Sequence, residues 1–283
     1  MREPNQPHRI SRLAAVGFTT LLTLCSAEAP LPAAPIISGG GIVNAASYAL
    51  PGSFPASAGS IATIFGTGLA SFPLAASTLP LPFVLGATSV MVGSKPAPLF
   101  YVSPTQINFQ MPSQPCCSDL IWPVIVTVGT AQSTDVSLTV PAFGPAIFSV
   151  NASGSGQGAV LIANAGVFAA PTGSISGVQS RPAQRGELIT IFCTGLGPVT
   201  NQPDDGFPAL ADPISQTLNI PSVIIGTTNV VADFAGLAPG FVGLYQVNVR
   251  VPTSAPTGNG VPVRVTLDTV GGLLPPPVTI AIQ

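Results

Sequence analysis

The chain has 283 residues, 46% of them hydrophobic and only 6% charged. That composition has enough apolar residues for a core and argues against intrinsic disorder. A net charge of −2 leaves no basic footprint for a nucleic acid. The 30 glycines and 32 prolines, spread among Val, Ile, Thr and Ser, predict many short strands joined by turns.

The first element is a targeting segment. Arg2, Arg9 and Arg12 precede the apolar run "LAAVGFTTLLTLCSA" at 13–27, and small residues follow it. This is the order of a secretory signal peptide, expected to span 1–29. Cys25 offers a lipoprotein anchor as the alternative, although Leu24 stands where a small residue is favoured. The run is shorter than the roughly 20 residues of a membrane span. Removal of the leader takes away His8, the one histidine of the sequence. Lys95, Arg181, Arg185, Arg250 and Arg264 are then the remaining basic residues.

After a short linker at 30–40, strands are predicted near 41–47, 60–66, 87–92, 97–102, 105–111, 123–129 and 134–141. A second series follows near 158–163, 187–194, 220–226, 229–234, 244–251, 261–268 and 277–282. The two series are written alike. "GSIATIFGTGL" at 59–69 and "GELITIFCTGL" at 186–196 agree at seven of eleven positions. "TSVMVG" and "PSVIIG", then "TQINFQMP" and "LYQVNVRVP", then "PVIVTV" and "PVRVTL", and finally "VSLTV" and "VTIAI" follow in the same order. Such self-similarity is the mark of a duplicated unit. The expected organisation is a β-sandwich domain over 41–142, a linker over 143–157 and a second sandwich over 158–283. About seven strands in about 100 residues fit an immunoglobulin-like fold, so the fold class is all-β. The Gly/Ser-rich end of the linker is expected to be flexible.

Within the twin strands the period is two. Ile107, Phe109 and Met111, like Val247, Val249 and Val251, should face a core. Gln106, Asn108 and Gln110, with Gln246, Asn248 and Arg250, should lie on the other face. Phe65 and Phe192 are expected as equivalent core anchors, and Gly68 and Gly195 at positive φ.

The phrases "GIVNAASY", "GSIATIFGTGL", "APLFYVSPTQINFQMP", "GLGPV" and "FAGLAPGFVGLYQVNVRVP" resemble the Solibacter uncharacterized C-terminal domain family of secreted acidobacterial proteins. The unit also resembles IPT/TIG immunoglobulin-like domains. The resemblance covers about 41–283 and implies a sandwich fold with no catalytic residues to carry over.

Candidate chemistry is sparse. Without a histidine after the leader, Ser-His-Asp and Cys-His mechanisms have no base. Lys95 lies in the turn "GSKPAP" and reads as solvated. Asp204 and Asp205 in "NQPDDGFPA" read as a turn, with a calcium site as the alternative. Cys193 can pair with Cys116 or Cys117, the two neighbours can pair with each other, or Cys193 can be a small buried residue. Three thiolates make a poor zinc set. No obligate disulfide between the domains is expected. No catalytic, cofactor or metal residues are assigned. The possible ligand face is Gln106, Asn108, Gln246 and Asn248, whose amides suit sugar hydroxyls. The expected function is a secreted or cell-surface, non-enzymatic structural or adhesive module. Its partner is unknown, an extracellular protein or a polysaccharide, and the alternative is a carbohydrate-binding module.

Overall fold

The computed structural model describes residues 33–49, 56–114, 120–267 and 274–283. The signal-peptide and Cys25 readings, and any pairing of Cys116 and Cys117, lie outside the described residues.

All regular structure among the described residues is β. The first half holds β1 (Ile36–Asn44), β2 (Ile61–Thr67), β3 (Leu74–Ala75), β4 (Val84–Leu85), β5 (Thr88–Val92) and β6 (Lys95–Pro96). It continues with β7 (Leu99–Val102), β8 (Gln106–Gln110), β9 (Ile121–Val128), β10 (Ala131–Gln132) and β11 (Val136–Thr139). The second half holds β12 (Ala146–Ile147), β13 (Val160–Ile162), β14 (Val167–Ala169), β15 (Ser180–Arg181), β16 (Leu188–Thr194) and β17 (Ser222–Ile225). It ends with β18 (Thr228–Val231), β19 (Phe234–Leu237), β20 (Tyr245–Arg250), β21 (Gly258–Thr266) and β22 (Val278–Ile282).

Each half is an immunoglobulin-like sandwich of two sheets. In the first, the sheet β1-β2-β8-β7-β3 faces the sheet β10-β9-β5-β4. In the second, β15-β14-β13-β16-β20-β19 faces β18-β17-β21-β22. Each half has its own apolar core. Ile64, Val90, Ile107, Phe109 and Val126 belong to one; Ile191, Val223, Val247, Val263 and Ile280 belong to the other.

The period of two dictates which face goes in. Ile107, Phe109 and Met111 are fully buried, and so are Val247, Val249 and Val251. A slip of one residue would put three amide or charged groups in their place, so the register is firmly set. Gln106, Asn108, Gln246 and Asn248 lie half-buried on the outer face, and Arg250 is exposed. Gln110 departs from the pattern and is buried.

One core expectation and one strand expectation are overturned. Phe65 and Phe192 are not core anchors. They are half-buried and point outward, because Ala62 and Ile64, or Ile189, Ile191 and Cys193, occupy the inward positions of β2 and β16. Both phenylalanines nevertheless hold the same place: Phe65 is opposite Gln106, and Phe192 opposite Gln246. The predicted strand near 229–234 divides into β18 and β19. The turn between them lets β18 pair with β17 and β19 pair with β20, on different sheets.

The segment 143–157 contains β12. Ala146 and Ile147 pair with Thr194 and Cys193. Ile36 and Ile37 pair with Thr67 and Gly66 in the equivalent register. The later part of β1 sets Ile42 against Ile64, as β13 sets Val160 against Ile191. One bulged strand in the first sandwich is thus two strands in the second, separated by the loop 148–159. The Gly/Ser-rich part of that loop is not free. Ser149 Oγ accepts from the Ser153 and Gly154 amides, and a side chain at Gly154 would run into the Ser47 carbonyl of the first sandwich.

Candidate functional site

Two places repay attention: the outer amide face, which is duplicated, and the joint between the sandwiches, which is not.

On the outer face, cross-strand pairing fixes the neighbours. Thr63 stands opposite Asn108, and Thr190 opposite Asn248. The Thr63 hydroxyl donates to Asn108 Oδ1 at 3.0 Å, and the Thr190 hydroxyl donates to Asn248 Oδ1 at 3.0 Å. Such directly opposed polar pairs are a regular source of sheet stability. The bond recurs in both copies; where the backbone of an adjacent loop is the expected partner of a structural amide here, the partner is instead a threonine hydroxyl of the next strand. Gln106 Nε2 adds a second bond to Asn108 Oδ1 at 2.8 Å. Next to this group, the Tyr48 ring is tilted 43° against Phe65 with centroids 6.0 Å apart. Burial raises the Tyr48 phenol above its ordinary pKa, and a hydrogen bond with Thr63 partly offsets this. Tyr48 also has φ 50, in the left-handed region where non-glycine residues are uncommon. The four predicted residues therefore form two separate faces, one per sandwich, each beside a half-buried phenylalanine.

The joint was not legible in the sequence. It is convenient to call the end where β2 or β16 begins the entry end, and the end where it finishes the exit end. The entry end of the first sandwich meets the exit end of the second. The Ile61 amide donates to Thr194 Oγ at 3.0 Å, and Thr194 Oγ donates onward to the Gly243 carbonyl at 3.0 Å. Asn44, fully buried, donates from Nδ2 to the Gly144 carbonyl at 2.8 Å and accepts the Ala46 amide. The Pro-Asp-Asp-Gly turn reaches across. Gly206 N donates to Gln110 Oε1 at 2.7 Å, Ser113 N donates to Asp205 Oδ1 at 2.9 Å, and Leu81 N donates to the Gly206 carbonyl at 2.8 Å. This explains why Gln110 leaves the outward pattern: its side chain turns into the joint. It also gives Asp205 a role in the joint. Asp205 caps a backbone amide, and no group of three or more metal-type ligands occurs among the described residues.

Small residues let the two ends approach. A side chain at Gly243 would press on Ile61 and the Gly59 carbonyl, and one at Gly206 on the Leu81 carbonyl. Gly195 has φ 82 and Gly68 φ 65, so both need the left-handed region. Tyr245 is buried at the joint and donates to the Gly197 carbonyl at 2.6 Å. Burial pushes its phenol well above the ordinary range. A hollow of about 230 Å³ remains between the halves, lined by Ala58, Gly59, Ser113, Gln114, Gly197 and Tyr245 among others.

Cys193 is a free, buried thiol whose pKa burial pushes far up, so it is an inert core residue. It takes the place of Gly66, where a side chain would collide with the Ile36 carbonyl. The Arg181 guanidinium is committed to Glu187 through two bonds, at 2.9 and 2.8 Å.

These folds have known counterparts. The IPT/TIG domain family matches residues 47–160. That match covers the first sandwich from Ser47 onward and runs into β13. No curated protein matches the chain. Among solved structures, domains 5–6 of the S-layer protein SbsC align with 9% identity and a TM-score of 0.28, covering 88% of this chain and 98% of that one. The I9–I11 tandem of titin aligns with 8% identity and a TM-score of 0.20, covering 88% of this chain and 65% of that one. Scores this low say nothing about what the chain does.

Proposed function

We propose that the chain is a secreted or cell-surface, non-enzymatic structural module in which two tandem sandwiches work as one stiff unit. Its first sandwich would span 41–142 and its second 158–283, with Ala146–Ile147 joining the second through their pairing with β16. The observation that carries this reading is the joint. Side chains and amides from both halves interlock through uncharged or backbone-capping hydrogen bonds over small residues. Buried bonds of this kind resist opening because each group left unpaired costs about 1–3 kcal/mol. An IPT/TIG-like unit and the resemblance to secreted Solibacter-type domains fit a scaffolding or adhesive role. Calorimetry tests the stiffness. The expected result is one cooperative transition in the parent, and two separable transitions in an Asn44→Ala, Gln110→Ala, Asp205→Ala variant. Two transitions in the parent would sink it.

A second reading, a carbohydrate-binding module, is favoured by one observation: Gln106 and Gln246 each sit opposite a half-buried phenylalanine. The Gln106 side chain is tied to Asn108, whereas Gln246 faces Phe192. A screen against soluble polysaccharides separates the readings. Saturable binding that disappears on substituting Gln106, Asn108, Gln246 and Asn248 would favour the sugar reading.

A further inference from the structure

The duplication makes each sandwich end a copy of another end, so the joint has two unused counterparts. The exit end of the first sandwich corresponds to the surface on which the second sandwich receives its neighbour. The entry end of the second corresponds to the surface the first sandwich presents.

These two free ends differ in character. At the free entry end, Arg185 replaces Ala58, Glu187 replaces Ser60 and Arg250 replaces Gln110. Arg185 is tied to the Ala255 carbonyl, Glu187 to Arg181, and Arg250 stands exposed with Asp233 at 3.8 Å. Three of the five basic residues that follow the leader cluster here. Burying these groups against another protein would strip their hydration. At the free exit end, Thr67 is exposed where its twin Thr194 is buried in the joint. Ile36, Phe72 and Val84 are also exposed there, at 63%, 58% and 59%. Phe72 lines a shallow hollow with Ala70, Ser71, Leu85 and Ala87. None of these residues is charged.

We propose that the exit end of the first sandwich is a docking surface for the uncharged entry end of another β-sandwich, and that the charged entry end of the second sandwich is a cap that stops copies of this chain from stacking. The proposal rests on the structural-module reading and names its partner. Likeness to the joint supports it: the same end of the same fold already receives, within the chain, a sandwich end whose bonded groups, at Ile61, Gln110 and Ser113, are uncharged. In repeat proteins, a polar terminal unit that closes a stack is a physical necessity, since an uncapped heterologous contact grows into a filament.

The test uses the chain itself as probe. In an Arg185→Ala, Arg250→Gln variant the two charges of the cap that are not held in the Arg181–Glu187 pair take the residues of the first sandwich. Glu187 is kept because it is paired. Sedimentation velocity should show the parent as a monomer and the variant growing head to tail with concentration, at least tenfold more tightly associated. Adding Phe72→Asp should abolish the growth. A folded variant that stays monomeric, or growth indifferent to Phe72→Asp, overturns the proposal. Parent association at the same concentration overturns the cap. If the double variant fails to fold, Arg250→Gln alone decides by the same criteria, because that side chain is exposed. Failure here with a single calorimetric transition intact would leave the stiff-module reading standing.

Discussion

At the scale of single residues, the threonine–asparagine pairs decide between a structural and a ligand role for the amides. Thr63–Asn108 and Thr190–Asn248 are the same bond in two copies. Asn248→Ala should lower the unfolding free energy by about 1 kcal/mol, beyond the ±0.5 of an ordinary surface change. Chemical denaturation measures it, and an unchanged midpoint would return the amides to solvent or to a ligand. The phenylalanines make a second contrast. Phe109→Ala should cost about 3–5 kcal/mol, since that ring is fully buried. Phe65→Ala should cost about 1 kcal/mol or less, the worth of a cross-strand pair. Equal costs would mean that Phe65 is core after all. The alternation of Gln-x-Asn-x-x-x-Pro gave away the inward valines and Phe109. It did not give away Phe65: "ATIF" and "ITIF" are apolar on three positions of four, so period alone cannot choose the face. The inward positions go to Ala62 and Ile64 because Thr63 and Thr190 must sit opposite the asparagines.

At the scale of elements, most strands could be placed from the sequence to within a few residues. Those missed were two or three residues long, or, like β19, set off from β18 by a single turn. β12 was hidden for a different reason. A two-residue strand has no period to read, and its membership is visible only through its pairing with Cys193 and Thr194. The glycine-to-cysteine exchange falls at this pairing: Gly66 stands opposite Ile37, and Cys193 opposite Ile147. Gly66→Ala would press a methyl group on the Ile36 carbonyl. We expect a loss of more than about 2 kcal/mol, as for other overpacked sites. A thermal melt matching the parent would show that β1 can move away. The start of β16 carries a pH effect. The Arg181 hydrogen bond holds the Glu187 carboxyl below its ordinary range, against an opposing contribution from burial. The folded-state value is lowered, so this stabilisation is present above the unfolded pKa of about 4.3 and is lost as pH falls through the lower folded value. The parent should therefore lose more stability than Glu187→Gln between pH 7 and pH 3. Equal losses would show the pair to be idle.

At the scale of the whole molecule, the duplication was plain in the sequence and the joint was not. Residues Pro32–Gln283 cluster as one compact unit. The groups that join the sandwiches are Asn44, Ile61, Gln110, Thr194, Asp205 and Gly206, far apart in the chain and ordinary in type. Thr194 has a twin in Thr67 that does nothing comparable, so no motif marks it. Asp205 lies in a turn sequence that suits water as well as a neighbour. What distinguishes the joint is that its side chains are uncharged apart from Asp205, which accepts a backbone amide, and that glycines such as Gly243 let the two ends approach. The most direct measurement of this claim is a set of backbone residual dipolar couplings from the weakly aligned protein. If the joint is stiff, a single alignment tensor fits the couplings of β2, β8 and β9 together with those of β16, β20 and β21. Two tensors of different magnitude, one for each sandwich, would contradict it.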